Sequence, residues 1–367
     1  MSGTMTKKSN ELETMFLFQE VERCEDTEDV REILRRYDSS FLSWQREINR
    51  LVDESGCSYQ KLGERCGISK NTIKSWCLRG GAPRCRNTYL KLAFGLEMSA
   101  KEADRLLVRY GGYPGLYARD LFDAVCIFLL DRQVRRRERV SYEDARALFA
   151  RCNGQSRAAD ENLDTVTVAE TIRKIEDEEE FIAFVESHKD AFCRGRSALS
   201  KYLRTYVEAR SRELGGTGES TSLHGYFSAS GIPSRYEKIF SNLSLYGVIP
   251  RREQLMALGL FLEMTPEELN RTLVLAGMEP LCAKNRLECV LIYALQQLCL
   301  LHPELPLSNA MLLLAATEDP ALAEECRRIV AEYTERTYRC DHRDLETVAD
   351  YVRQLFRELD LEQSEEL

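Results

Sequence analysis

Residues 96–111, LEMSAKEADRLLVRYG, return as LEMTPEELNRTLVLAG at 262–277. Leu96, Glu97, Met98, Glu102, Arg105, Leu107, Val108 and Gly111 all recur 166 positions later. The match runs on: Pro114 answers Pro280, and LYARDLFDAVCIFLL from Leu116 answers LCAKNRLECVLIYAL from Leu281. Upstream, Pro83-Arg84 answers Pro250-Arg251. A self-match at long period sets architecture before any motif is considered, because each copy must build the same kind of core. CEDTEDVREILRRYDSSF, ending at Phe41, parallels IEDEEEFIAFVESHKDAF, ending at Phe192, but at an offset of 151. The offset jumps because SRELGGTGEST, residues 211–221, has the composition of an inserted flexible loop. The expected organisation is a first repeat over 12–150, a linker over 151–163, a second repeat over 164–315 and a helical tail over 316–367.

Each repeat reads as all-α. In Lys101–Tyr110, Ala103, Leu106, Leu107 and Tyr110 keep helical spacing, with Ser99 in front and Glu102 three residues on, a capping box. Gly111-Gly112 supplies a stop. In the second copy Thr265-Pro266 opens the equivalent helix. Ala323, Cys326, Ile329, Val330 and Tyr333 put a helix in the tail, and Tyr338–Leu361 suggests another. No segment alternates with a period of two, so strands are not expected.

The most informative stretch is SYQKLGERCGISKNTIKSWCLRG, residues 58–80. Two short helices that cross steeply need a small residue at the contact, a glycine able to take positive φ at the turn, and a branched apolar anchor in the second helix. Gly63, Gly67 and Ile73 stand at those places. Leu62, Ile68 and Trp76 supply further buried contacts, Cys66 falls on the buried side, and Ser69 caps the second helix.

On these residues the segment from about Ser58 to Tyr110 resembles the Cro/CI-type helix-turn-helix proteins of bacterial and phage repressors, and residues 222–277 resemble a degenerate second version. Many relatives open the first helix of the motif with Gln, whereas Tyr59 holds that place here and Gln60 follows. The resemblance implies that the second helix, about 69–79, enters the major groove of double-stranded DNA. Ser69, Lys70, Asn71, Lys74 and Ser75 become the candidates for base or nearby phosphate contact, with Thr72 a weaker one. Asn71 suits an adenine edge, and Lys70 or Lys74 suits guanine or phosphate. Gln60, Lys61, Arg79, Arg84 and Arg86 complete the expected interface.

Charge points the same way. The whole chain carries −9, yet residues 56–91 hold Lys61, Arg65, Lys70, Lys74, Arg79, Arg84, Arg86 and Lys91 against Glu64 alone. Basic residues also solvate helix faces, so this contrast by itself leaves a plain structural role open. In the second copy Phe227 aligns with Gly63 and Glu237 with Ile73, which would prevent the same tight crossing. Residues 222–258 hold only Arg235, Lys238, Arg251 and Arg252 against Glu237 and Glu253. The second repeat is therefore expected to pack or bind a partner rather than read DNA.

The remaining signals are bland. The start MSGTMTKKSNELETMFLF lacks the apolar run of a secretory leader, and the apolar stretch Ala124–Leu130 falls far short of the roughly 18 residues that span a bilayer. Thirteen irregularly spaced Cys read as reduced thiols, so a cytoplasmic location without membrane association is expected. Cys57, Cys66, Cys77 and Cys85 lack zinc spacing, and Cys340 with His342 lacks further ligands. No nucleophile, Walker or Rossmann pattern occurs, so neither enzymatic activity nor a cofactor or metal is expected. Arg135, Arg136, Arg137 and Arg139 read as a solvated helix end, and Glu176–Glu180 as the acidic start of a helix. The expected function is a sequence-specific transcriptional regulator on double-stranded DNA, acting as a homodimer if two half-sites are read. The alternative is a helical adaptor that binds protein through the second repeat or the tail; RNA binding is a third reading.

Overall fold

A computed structural model describes residues 14–152, 165–188, 192, 197–214, 226–227, 230, 232–246, 248–316, 320–337, 348–359 and 361. The described residues are helical with no strand among them, as the sequence patterns require. Two compact units divide the chain: one is continuous, Ser43–Gly195, and the other joins Met1–Leu42 to Arg196–Leu367.

This division departs from the expected boundaries. The N-terminal helices, α1 over 14–22 and α2 (Thr27–Arg36), belong to the same compact unit as the C-terminal segment. Their apolar face, Leu17, Val21, Val30, Ile33 and Leu34, together with Phe41, is buried in the C-terminal unit. There Arg286 pairs with Asp38 at 2.7 Å, the Gln297 amide donates to the Cys24 carbonyl, and Leu42 N–H donates to the Lys284 carbonyl. The tail is not separate either. Leu322 and Cys326 of helix Pro320–Thr337 and Val348, Val352, Leu355 and Phe356 of helix Val348–Glu358 belong to the same core. The expected tail residues 338–347, including Cys340 and His342, lie outside the described residues.

The continuous unit holds α3 (Trp44–Ser55), α4 (Tyr59–Cys66), α5 (Lys70–Arg79), α6 (Arg86–Gly95), α7 (Ala100–Arg109), α8 (Leu121–Arg136), α9 (Tyr142–Cys152), α10 (Thr165–Lys174) and α11 (Glu178–Ser187). The long apolar helix α8 is its axis. Ala124 to Leu130 are buried, Phe128 stacks on Phe181 of α11, and α7, α9 and α10 pack around it. Arg135, expected as a solvated helix end, donates to the backbone carbonyls of Arg173 and Ile175, and Arg139 pairs with Glu97 at 2.6 Å. The expected linker begins at residue 151, but α9 continues through Cys152, and 153–163 lie outside the described residues. Similarly, helix Ser197–Leu214 runs through the first four residues of the expected inserted loop.

The sequence recurrence has atomic counterparts in the two units. Ser99 with Glu102 and Thr265 with Glu268 both form reciprocal capping boxes. Glu97 and Glu263 both take a left-handed φ of 56° in the turn just before those caps. The carboxylate of Asp123 accepts the Tyr117 N–H at 3.0 Å, and that of Glu288 accepts the Cys282 N–H at 2.7 Å. At the offset of 151, Asp26 caps α2 and Asp177 caps α11.

Candidate nucleic-acid interface

Helix α4 begins after the Ser58 cap and ends at Gly67, whose φ of 60° only glycine adopts without strain. Ile68 N–H then donates to the Gly63 carbonyl at 2.9 Å, and Ser69 opens α5 by accepting the Asn71 N–H at 3.2 Å. A Cβ on Gly63 would lie 2.5 Å from the Ile68 oxygen and 3.3 Å from the Lys70 nitrogen. The missing side chain is therefore what lets the two helices cross so closely. Leu62 and Ile73 are fully enclosed, Trp76 and Cys77 are buried, and Ile68 is partly buried against the same core. Gly95 of α6 works likewise, since a side chain there would overlap the Cys66 sulfur. Burial pushes the Cys66 thiol up to about 12, which keeps it neutral at ordinary pH.

The aromatic cluster fixes α5 from behind. Trp44 meets Trp76 edge-on at 5.9 Å and Tyr89 at 5.3 Å. Gln45 and Asn49 of α3 both donate to the Cys77 carbonyl, at 2.9 and 3.1 Å, satisfying the end of α5 where no further helix turn does so. Sequence reasoning missed this clamp.

The opposite face of α5 is open. Ser69, Lys70, Asn71, Lys74, Ser75 and Arg79 are exposed, whereas Thr72 is half-buried. Lys61 of α4 and Arg84 in the following loop are also exposed. Among the described residues Lys61, Lys70, Lys74, Arg79 and Arg84 have no ion-pair partner, and α5 carries no acidic residue. Gln60 is exposed with its amide 2.7 Å from Glu64. The Tyr113 hydroxyl donates to the Arg84 carbonyl at 2.6 Å, holding the loop backbone and leaving the guanidinium outward.

Arg86 does not belong to this face. Its guanidinium is turned inward and gripped by both oxygens of Asp123, at 2.8 and 3.0 Å. The physical reason is that Asp123 is buried near the start of α8, where a carboxylate needs a fixed cation as well as the Tyr117 N–H. In the other unit Arg252 holds Glu288 in the same bidentate way, at 2.7 and 2.7 Å.

One hydrogen bond of the turn between α4 and α5 has a counterpart in the second unit. Ile232 N–H donates to the Phe227 carbonyl at 3.1 Å, as Ile68 does to Gly63. Phe227 is buried and packs on Phe240 at 6.0 Å. Glu237, expected to prevent the same tight crossing, is half-buried, while Tyr236 beside it in the helix Ser234–Tyr246 is 0% exposed.

Comparison with protein-family models, curated proteins and solved structures finds no match for this chain. No described helix is long and apolar enough to cross a membrane.

Proposed function

We propose that this chain is a tandem-repeat regulator that binds double-stranded DNA through α5 of its continuous unit, in the manner of the Cro/CI-type proteins it resembles, while its second unit serves assembly. The observation that carries the reading is the pairing of opposites in α5. One face is locked by Ile73, Trp76, Cys77 and the Gly63 contact, and the other presents Lys70, Asn71, Lys74 and Ser75 free of acidic neighbours on the helix. A rigid helix with an open basic and amide-bearing face has the donors that major-groove base edges and phosphates accept. One such helix covers a half-site, so a homodimer would supply a pair of readers.

The test is selection of bound fragments from random duplex DNA by the full chain, followed by Lys70→Ala, Asn71→Ala and Lys74→Ala. Salt-sensitive binding that weakens with each change supports the reading; binding indifferent to all three defeats it. Single-stranded RNA competing as well as the duplex would move the proposal to RNA.

A second reading, a helical adaptor, has one observation in its favour. Of ten exposed large apolar side chains among the described residues, seven lie in the second unit: Met15, Phe16, Val248, Val274, Leu300, Leu301 and Met311. This distribution fits protein binding by that unit, which both readings accommodate.

A further inference from the structure

We infer that Leu78 extends the reading face of α5 and recognises the C5-methyl group of a thymine. The inference rests on the duplex-reading proposal and deepens it by naming a base group. The other apolar side chains of α5, Ile73, Trp76 and Cys77, are buried, whereas Leu78 is 63% exposed. Steps of three and four residues put Asn71, Lys74, Ser75 and Leu78 along one side of the helix. From Lys70 to Leu78 the helix rises about 12 Å at 1.5 Å per residue, enough to follow a groove past about three or four base pairs.

The two residues that follow α5, Gly80 and Gly81, carry no side chain to cover this end. Gly80 and Gly81 take φ of 75° and 76°, and a Cβ added at Gly81 would meet nothing within 4 Å. The residues beside Leu78 along the helix are Lys74, Ser75 and Arg79, so on the open face of α5 it is a single apolar side chain among polar ones. A lone apolar tip on an otherwise polar reading face matches one feature of the major groove: among the four bases only thymine presents a methyl group there.

The experiment uses the full chain and the duplex enriched by selection. Each thymine is replaced in turn by deoxyuridine, which removes the methyl and keeps Watson–Crick pairing. At one position per half-site the loss of the methyl should weaken binding about fourfold, the equivalent of one buried methyl-sized group. Leu78→Ala and Leu78→Gln should bind the thymine and uracil forms equally at that position. Since the side chain is exposed, neither change should alter the helical circular dichroism. No responsive position, or a thymine preference that survives both substitutions, overturns the inference while the duplex-reading proposal stands. Failure to enrich any duplex overturns both.

Discussion

Arg86 and Asp123 form a two-pronged ion pair, with both guanidinium nitrogens on both carboxylate oxygens, that ties the first turn of α6 to the first turn of α8. Asp123 also holds the Tyr117 N–H, so the carboxylate closes the loop leading into α8 as well. Asp123→Ala would strip this cation and this N–H of their partner together. The expected cost is about 3 to 5 kcal/mol, measured by urea unfolding of the full chain. Arg86→Ala should likewise lower stability, and at temperatures where the variant is folded its salt dependence of duplex binding should equal that of the parent. A flattened salt dependence would return Arg86 to the interface.

Gly63→Ala places a methyl group 2.5 Å from the Ile68 oxygen, where the backbone itself must move. A loss of about 1 to 3 kcal/mol is expected from overpacking. Gly67→Ala meets no atom within 4 Å but must hold φ at 60°, so its expected cost is about 1 to 2 kcal/mol from backbone strain alone. Thermal unfolding of both variants separates the two causes. Equal stability of Gly63→Ala and the parent would show that the crossing is looser than described.

Lys70 and Lys74 stand exposed on α5. If each meets a phosphate, each alanine substitution should reduce the slope of log affinity against log salt by about 1. Asn71→Ala should leave that slope unchanged and relax base preference at one position instead. Binding isotherms at several salt concentrations distinguish the two behaviours.

Glu268 is buried in the second unit, where one of its oxygens accepts the Thr265 N–H, the Tyr206 hydroxyl and the Asn309 amide. Burial raises its pKa above the ordinary glutamate value despite these donors. The folded state thus holds the proton more tightly than the unfolded one, so this group's contribution to stability is greatest in acid. It declines as pH rises from the unfolded value through the folded one. Glu268→Gln keeps an acceptor for the same donors and removes the charge. It should gain stability over the parent at neutral pH and lose that advantage as pH falls through the raised folded value, until it is gone at about 4, the ordinary glutamate value. Urea midpoints across this range check the sign.

Local rules made much of the chain legible. Ser99 and Glu102 declare a helix start within four residues, and Gly63, Gly67 and Ile73 specify a crossing within eleven, because caps, left-handed turns and close contacts depend on near neighbours. Arg86 was not legible from its surroundings. An arginine beside Arg84 in a basic stretch reads as surface, and only Asp123, distant in sequence, turns it inward. A signal did exist: at the offset of 166 Arg86 falls on Arg252, and the match from Leu116 to Leu281 puts Asp123 on Glu288, so both places carry an arginine and a carboxylate. The partner of the N-terminal helices was hidden for a different reason. Amphipathic spacing in α2 fixes which face is buried and says nothing about which surface covers it.

That covering surface is made late. Leu17, Val21, Val30, Ile33 and Leu34 leave the ribosome long before Val290, Leu291 and Leu295 of the helix Arg286–Leu301, which share their core. Until some 250 further residues have been joined, these early side chains stay uncovered by their final neighbours. Helices α1 and α2 thus dock only after the segment that covers them has been made, and their contact closes a long loop of chain.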